Sequence, residues 1–288
     1  MRIAIVSDIH GNLEALESVL RDAQKCGVEH FICAGDAIDP LPQSQRVLDR
    51  LEELRAPLIR GNHEDYVLRA LQNPFDPIAS APNWEPVRLV ARSLNPDTIA
   101  RLNRLPMTLT VAHEHAGPLL ICHSSPRSNL HGWRILVDDD MAKELQQRSE
   151  PTIVCGHWHL QDTRRWRDKT LILNGSVGIP LNGKIAAEYV IIEARNDTWQ
   201  SEHRQVPYDN QITLRDYRDS GWAKVGGPMA WLLFDEVRTA QRRLVSFYEW
   251  LGNHPQPINT LDSLTKAVKA YLNEINSWES ITAFLGQL

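Results

Sequence analysis

Five short stretches of this 288-residue chain place carboxylate, carboxamide or imidazole groups directly after an apolar run: Asp8-Ile9-His10, Gly35-Asp36, Gly61-Asn62-His63-Glu64, Ile121-Cys122-His123 and Gly156-His157-Trp158-His159. Singly, each has an ordinary explanation, because an aspartate after a strand often caps a helix and a lone histidine usually sits on a surface or in a satisfied core. Together they offer oxygen and nitrogen donors of hard and borderline character, the set that suits divalent first-row metals. Five of the eleven histidines fall in these motifs. Two cations close together repel and need a bridging anion, for which Asp36 is the candidate. Ions about 3.5–4 Å apart lower the pKa of a bridging water, orient it and neutralise charge on a phosphoryl oxygen. The chemistry to expect is therefore hydrolysis at phosphorus by hydroxide near neutral pH. Gly11, Gly35, Gly61 and Gly156 are expected to let the backbone turn sharply between strand and ligand.

The elements that must carry these groups can be read around them. Ile3 to Val6 is an apolar strand; Asn12 is a plausible N-cap, followed by Leu13, Leu16, Val19, Leu20 and Ala23 at helical spacing and closed by Gly27. Val28 to Ala34 returns to strand, Ser44 starts a helix with Val47, Leu48, Leu51 and Leu54 inward, and Pro57-Leu58-Ile59 resumes extended structure. This alternation argues for parallel β-α-β units. Ligands in such sheets gather beyond the carboxyl ends of the strands, where Asp8, Asp36 and Asn62 fall.

From Glu64 to Leu105 the apolar residues have helical spacing, and Asn95-Pro96-Asp97 is a good helix start. This stretch reads as a helical insertion over the mouth of the site or as an ordinary packing layer. Strand signals come back at Met107–Ala112, Pro118–His123, Thr152–Cys155, Thr170–Leu173, Ala187–Glu193 and Trp199–Val206. Asp138-Asp139-Asp140 reads as a solvated helix start. Beyond Gly226 two long amphipathic helices are expected, divided by Asn253 to Asn259 with Pro255 and Pro257. Their stripes pack on the main domain or offer a surface for self-association. The expected organisation is a domain over 1–225 with an insertion over 64–106, then a helical extension over 226–288.

A net charge of −5 and a pI near 6.1 provide no basic surface for nucleic acid or anionic lipid. No basic-then-apolar leader precedes Ile3 and no apolar run approaches the roughly 20 residues of a membrane span, so the expected compartment is the cytoplasm. Cys26, Cys33, Cys122 and Cys155 lack the close pairing of a thiolate zinc site and read as small buried hydrophobes.

The five motifs in this order resemble those of the calcineurin-like metallophosphoesterase superfamily: Asp-x-His, Gly-Asp, Gly-Asn-His-Asp/Glu, His and Gly-His-x-His. The resemblance covers roughly residues 1 to 210. The Ser7-to-Leu13 opening, Asn174-Gly175-Ser176-Val177-Gly178 and Val206-Pro207-Tyr208-Asp209 are similar to the bacterial phosphodiesterase-like branch. It implies an α/β fold, a two-sheet β-sandwich flanked by helices in four layers. It also implies that Asp8, His10 and His159 bind one ion, that Asn62, His123 and His157 bind the other, and that Asp36 bridges them. His63 would contact the phosphate and protonate the leaving oxygen, and Glu64 would orient His63 or a neighbour, or be an exposed helix-start carboxylate. Mn, Fe, Zn, Ni or Co would serve as the ions, with Mn favoured.

Two departures touch the substrate side. Relatives in this branch usually carry an arginine where Leu181 stands, and the Gly-Asp motif continues into Ala37-Ile38-Asp39-Pro40 in place of a glycine-rich turn. The expected activity is hydrolysis of small phosphomonoesters, phosphodiesters or nucleotides by a metal-bridged hydroxide. The rivals are a non-catalytic scaffold of the same fold, and a DNA nuclease, which would need a basic groove.

Overall fold

Along the first strand, Ile3 and Ile5 face one buried cluster while Ala4 and Val6 face another. A strand apolar on both faces needs cover on both sides, and that requirement organises the molecule. The computed structural model describes residues 1–131 and 139–286. Its strands are β1 (Arg2–Val6), β2 (His30–Cys33), β3 (Thr108–Val111), β4 (Leu119–Cys122), β5 (Thr152–Cys155), β6 (Gln161–Trp166), β7 (Lys169–Asn174), β8 (Ala186–Arg195) and β9 (Thr198–Pro207). Its helices are α1 (Leu13–Lys25), α2 (Ser44–Glu53), α3 (Asn62–Gln72), α4 (Pro77–Ser80), α5 (Glu85–Ser93), α6 (Pro96–Leu102), α7 (Asp139–Gln147), α8 (Asn210–Asp219), α9 (Trp222–Val225), α10 (Gly227–Thr239), α11 (Leu244–Asn253), α12 (Leu261–Glu274) and α13 (Trp278–Leu285).

One sheet has the order β2-β1-β8-β9 and the other β3-β4-β5-β7-β6. Between them lie Ile3, Ile5, Ile121, Val154, Ile172, Val190 and Ile192. On the outer face of the first sheet, Ala4, Val6, Tyr189 and Ile191 join α1, α2 and the C-terminal helices in one cluster. On the outer face of the second, Leu120, Cys122, Ile153 and Leu171 pack against Met141 and Leu145 of α7. The fold is thus α/β, two mixed sheets sandwiched between helices. Register decides where the site forms. Val6 pairs with Cys33 in parallel, and Cys122 pairs with Cys155 in parallel, so the residues that follow each of these strands emerge at one rim.

Local signals explain most boundaries. Asn12 accepts from Ala15 N and Asn95 from Thr98 N, capping α1 and α6. Pro57-Leu58-Ile59 makes only an isolated parallel bridge, Cys33 to Leu58, and not a strand; the segment bonds to Cys33 on both sides and then leaves to start α3. Strand β6 carries no apolar alternation, because it is a half-buried edge paired only with β7. Of the acidic run, Asp138 lies outside the described residues, and α7 begins at Asp139.

The C-terminal helical hairpin is present, but each of its arms is broken once, where single long helices were expected. Ala240 turns left-handed (φ +52°) after α10, and Glu236 Oε1 accepts from Arg243 N and Leu244 N, both at 2.8 Å, to start α11. Asn276 (φ +56°) separates α12 from α13. The helical insertion meets this hairpin at its lip, where Asn83 Nδ2 donates to Tyr248 Oη at 3.2 Å. Cys26, Cys33, Cys122 and Cys155 are all free thiols. Among the described residues no helix is long and apolar enough to cross a membrane.

Candidate metal centre

Among the described residues twelve non-glycine positions have positive φ, and six of them are Asp8, His10, Asp36, Asp39, His157 and His159. A left-handed residue costs on the order of 1–2 kcal/mol, and such strain persists where surrounding structure over-determines it. Here the over-determination is visible. The turns after β1 and β2 are laced together by Asp8 N to Gly35 O at 3.1 Å, His10 N to Asp36 O at 3.0 Å and Gly11 N to Ala37 O at 3.0 Å. Gly61 and Gly156 contribute differently from the sharp turn expected of them. Neither has positive φ; instead a Cβ on Gly61 would overlap the Asp36 carboxylate, and one on Gly156 would overlap Ser7 Oγ and the Asp8 carboxylate. Their smallness lets two ligand carboxylates lie flat against neighbouring backbone.

All seven expected ligands come to one place, in two clusters. In the first, Asp8 Oδ1 is 3.4 Å from His159 Nε2 and 4.0 Å from His10 Nε2, and those two nitrogens are 3.1 Å apart. In the second, His123 Nε2 lies 3.2 Å from Asp36 Oδ2 and 3.0 Å from Asn62 Oδ1, while His157 Nδ1 is 2.9 Å from the same Asn62 oxygen. The first group and the Asp36–His123–His157 group each offer ligand atoms within 4.8 Å of one another, and a third such group, His10–Asp36–His63, spans them.

The hydrogen bonds on the far side of each ring test whether this set fits metal. His10 Nδ1 faces Asp39 O at 2.5 Å, His123 Nδ1 faces Ala34 O at 2.8 Å and His159 Nδ1 faces Ile179 O at 2.6 Å. A backbone carbonyl can only accept, so each Nδ1 carries a proton and each Nε2 is the ring nitrogen left to face the cluster, where an ion can replace its proton. Converging lone pairs without protons repel unless a cation lies between them, so the donor set fits divalent ions. The charges divide: burial opposes protonation of all three rings, yet the Asp36 charge lifts the His123 pKa to about 10 and the Asp8 charge raises that of His159, while His10 goes down, so an ion would take the place of a proton on the raised rings. Burial above all, then the nearby imidazoles of His63 and His159, brings the His10 pKa down to about 3. For Asp8, burial works upward but His159 and His123 outweigh it and bring the pKa to about 2.

His63 stands beside the cage, its Nε2 4.0 Å from Asp36 Oδ2 and its ring centroid 4.6 Å from that of His10. Burial opposes its charged form, yet Asp36 and Asp39 prevail and lift its pKa to about 9. Asp39 is the functional residue that sequence reading missed. Fully buried, it accepts from His63 Nδ1 at 2.7 Å through Oδ2, while its backbone oxygen faces His10. The signal was the aspartate three residues after Asp36. Glu64 is neither exposed nor in contact with His63 among its hydrogen bonds. Its carboxylate is buried and accepts from Asp36 N at 2.9 Å, Ala37 N at 2.9 Å, Ile38 N at 3.4 Å and Gly61 N at 2.7 Å, clamping the turn that carries Asp36. Burial, then the Asp36 charge, pushes its pKa up to about 7. The cage opens on a cavity of about 400 Å³ bordered by His10, His63, His157 and His159 and, opposite them, by α10 and α11.

Fold and cage together define a metal-dependent phosphoesterase architecture, and comparison with known proteins agrees. The model of the calcineurin-like phosphoesterase superfamily domain matches residues 1–197, and the chain belongs to that superfamily. An uncharacterised protein of Methanocaldococcus jannaschii is 26% identical over 226 residues, 72% of this chain and 88% of that protein. A metallophosphoesterase from Sphaerobacter thermophilus superposes with a TM-score of 0.63 at 23% identity, covering 83% of this chain and all 100% of the other. A hypothetical protein from Pyrococcus horikoshii OT3 superposes with a TM-score of 0.65 at 16% identity, covering 78% and 95%. The superfamily uses divalent metals; α10 to α13 lie beyond the matched residues.

Proposed function

We propose that this chain is a dinuclear metal-dependent phosphoesterase acting on small phosphomonoesters, phosphodiesters or nucleotides. One observation carries the reading: donors from residue 8 to residue 159 meet in two clusters, with Asp36 in reach of both through His10 and His123. Asp8, His10 and His159 would hold one ion and Asn62, His123 and His157 the other, with the Asp36 carboxylate as the anion shared between them. Two divalent ions, Mn favoured and Fe, Zn, Ni or Co acceptable, would supply hydroxide at neutral pH and offset charge building on the phosphoryl oxygens. His63 protonates the departing oxygen from Nε2, and Asp39 keeps its Nδ1–H oriented; general-acid help of this kind is worth about 10²–10⁴-fold. The catalytic domain spans 1–225 with its insertion at 64–106, and the extension spans 226–288. The partner is the small ester itself, in the cytoplasm, with self-association through the C-terminal helices. The complete donor set favours catalysis over a scaffold role, and the net charge of −5 disfavours a nuclease.

Chelated protein reloaded with each metal and offered a panel of phosphate esters tests this directly. Two bound ions per chain and turnover are expected, and His63→Ala should keep the ions while losing about 10²–10⁴-fold on an alkyl phosphate. Loaded protein that hydrolyses no ester would sink the reading.

A further inference from the structure

The far wall of the cavity beside the cage is built by residues beyond the superfamily match: Leu233 of α10, Arg242 in the following turn, and Leu244 and Val245 of α11. Trp158 and Leu181 complete it on the catalytic side. Apart from four imidazoles, the described lining has two ionisable side chains, Glu236 and Arg242. Glu236 is committed, since it is buried and accepts from Arg243 N and Leu244 N to hold the α10–α11 turn. Arg242 is not committed in that way. Its ion pair is with Glu249 at 3.5 Å, the two side chains being 39% and 64% exposed, and an exposed pair of that length is weak. A guanidinium so placed can exchange its partner for a phosphate oxygen, which it binds through paired N–H donors.

The rest of the lining restricts what else the substrate can carry. No hydroxyl or carboxamide side chain occurs among the described lining residues. A polyol buried there would give up water for few replacement partners, since beyond the imidazoles, Glu236 and Arg242 the side chains offer only the Trp158 indole N–H, whereas an apolar group gains by leaving water. About 400 Å³ is within the range of small-ligand pockets.

We propose that the C-terminal extension makes the enzyme selective for phosphate esters of apolar alcohols. The organic group packs against Trp158, Leu181, Leu244 and Val245, and Arg242 holds a phosphate oxygen from outside the cage. This rests on the phosphoesterase reading: water adds to phosphorus, the bond to the alcohol oxygen breaks, and the apolar alcohol leaves with a proton. The inference assigns selectivity to the appended helices, with no change to the chemistry of the cage.

The full chain, loaded with the metal that supports turnover, should be compared on benzyl phosphate and glycerol phosphate. Wild type should favour the benzyl ester in kcat/KM by about tenfold or more, the discrimination one or two apolar contacts supply. Leu244→Gln with Val245→Gln should cut that ratio about tenfold. Arg242→Gln should raise KM for both esters about tenfold with kcat nearly kept, the mark of lost uniform binding, and Arg242→Lys should recover part of it. Benzylphosphonate binding, followed by tryptophan fluorescence, should weaken about tenfold in Arg242→Gln. A wild-type preference for the glycerol ester would overturn the inference, as would variants with unaltered ratio and KM. Should the double variant fail to fold, the exposed Arg242 position decides alone. Loaded wild type that turns over other phosphate esters but neither of these would overturn the inference; turnover of no ester in the panel would defeat the phosphoesterase reading, and phosphonate binding that is weaker in Arg242→Gln would then still support the pocket while equal binding would overturn it.

Discussion

The two sides of the cavity are held by the same device and are encoded in opposite ways. Under the cage, Glu64 is buried and its carboxylate gathers four backbone N–H groups, those of Gly61, Asp36, Ala37 and Ile38. Behind the far wall, Glu236 is buried and gathers two, those of Arg243 and Leu244. In both cases burial, the largest influence, raises the carboxyl pKa, and the backbone donors offset part of the rise. The turn under Glu64 leads from β2 to Asp36 and is laced to the turn after β1, so it has little freedom. The turn under Glu236 joins two helices at the edge of the molecule. A cage that must hold ions at fixed spacing is built on sheet ends; a wall that only needs the right shape and charge is built on a helix break. The cage therefore should fail chemically when altered, and the wall should fail by stability or selectivity.

Asp36→Ala is the severest way to break that contrast. The carboxylate lies in both His10–Asp36–His63 and Asp36–His123–His157 groupings, and it also accepts from His63 N at 2.9 Å. Bound metal per chain, measured by elemental analysis, should fall, and turnover should drop by about 10³-fold or more, beyond the loss of a single charge-stabilising donor. Full metal content in this variant would show that the cage does not depend on it. On the other side, Leu232→Ala removes a fully buried side chain of α10 that belongs to the cluster shared with Ala4 and Val6 of β1. Stability should fall by about 2–5 kcal/mol in denaturant unfolding, with metal still bound at low temperature. A third variant, Asp39→Asn, leaves the shape beneath His63 but removes the charge bonded to Nδ1. Partners in such outer positions are worth about 10–100-fold. The loss should appear on alkyl esters and shrink on nitrophenyl esters, whose oxygen leaves without a proton. An equal loss on both would assign Asp39 to metal geometry through its contact with His10.

The same contrast explains what the amino-acid order reveals by itself. Asp8, His10, Asp36, Asn62, His123, His157 and His159 were legible because each follows an apolar run within a few residues, and in every case but Asn62 that run is a strand. Asp39 is harder to see, because nothing within Ala37-Ile38-Asp39-Pro40 shows that its carboxylate reaches a ring 24 residues further along the chain. For Glu64 the sequence leaves open His63, a neighbouring group or an exposed helix start, since hydrogen bonds to backbone N–H groups some 26 to 28 residues away leave no mark in local spacing. The polar edge strand Gln161–Trp166 has no alternation to detect. In the extension, apolar stripes were correct while the breaks at Ala240 and Asn276 were invisible: a single left-handed residue interrupts a helix without proline or glycine to announce it. Hence the pocket wall, which exists only because α10 and α11 are separate, could not be foreseen.

The mildest prediction sharpens the comparison at the wall. Glu249 is exposed, lies one helical turn or more beyond the cavity lining, and pairs with Arg242 at 3.5 Å. If Arg242 serves the substrate, Glu249 competes with the substrate for it, and the competition amounts to no more than the strength of an exposed pair, about 0–1 kcal/mol. Glu249→Gln should then lower KM for phosphate esters by about twofold, leave kcat alone and change stability by less than about 0.5 kcal/mol. In the double variant with Arg242→Gln the Glu249 effect should vanish, because the cycle isolates their coupling. A twofold fall in KM that persists without Arg242 would mean that Glu249 acts on the substrate through its long-range charge, and salt titration would then erase it, since separations beyond about 8–10 Å are screened at physiological ionic strength.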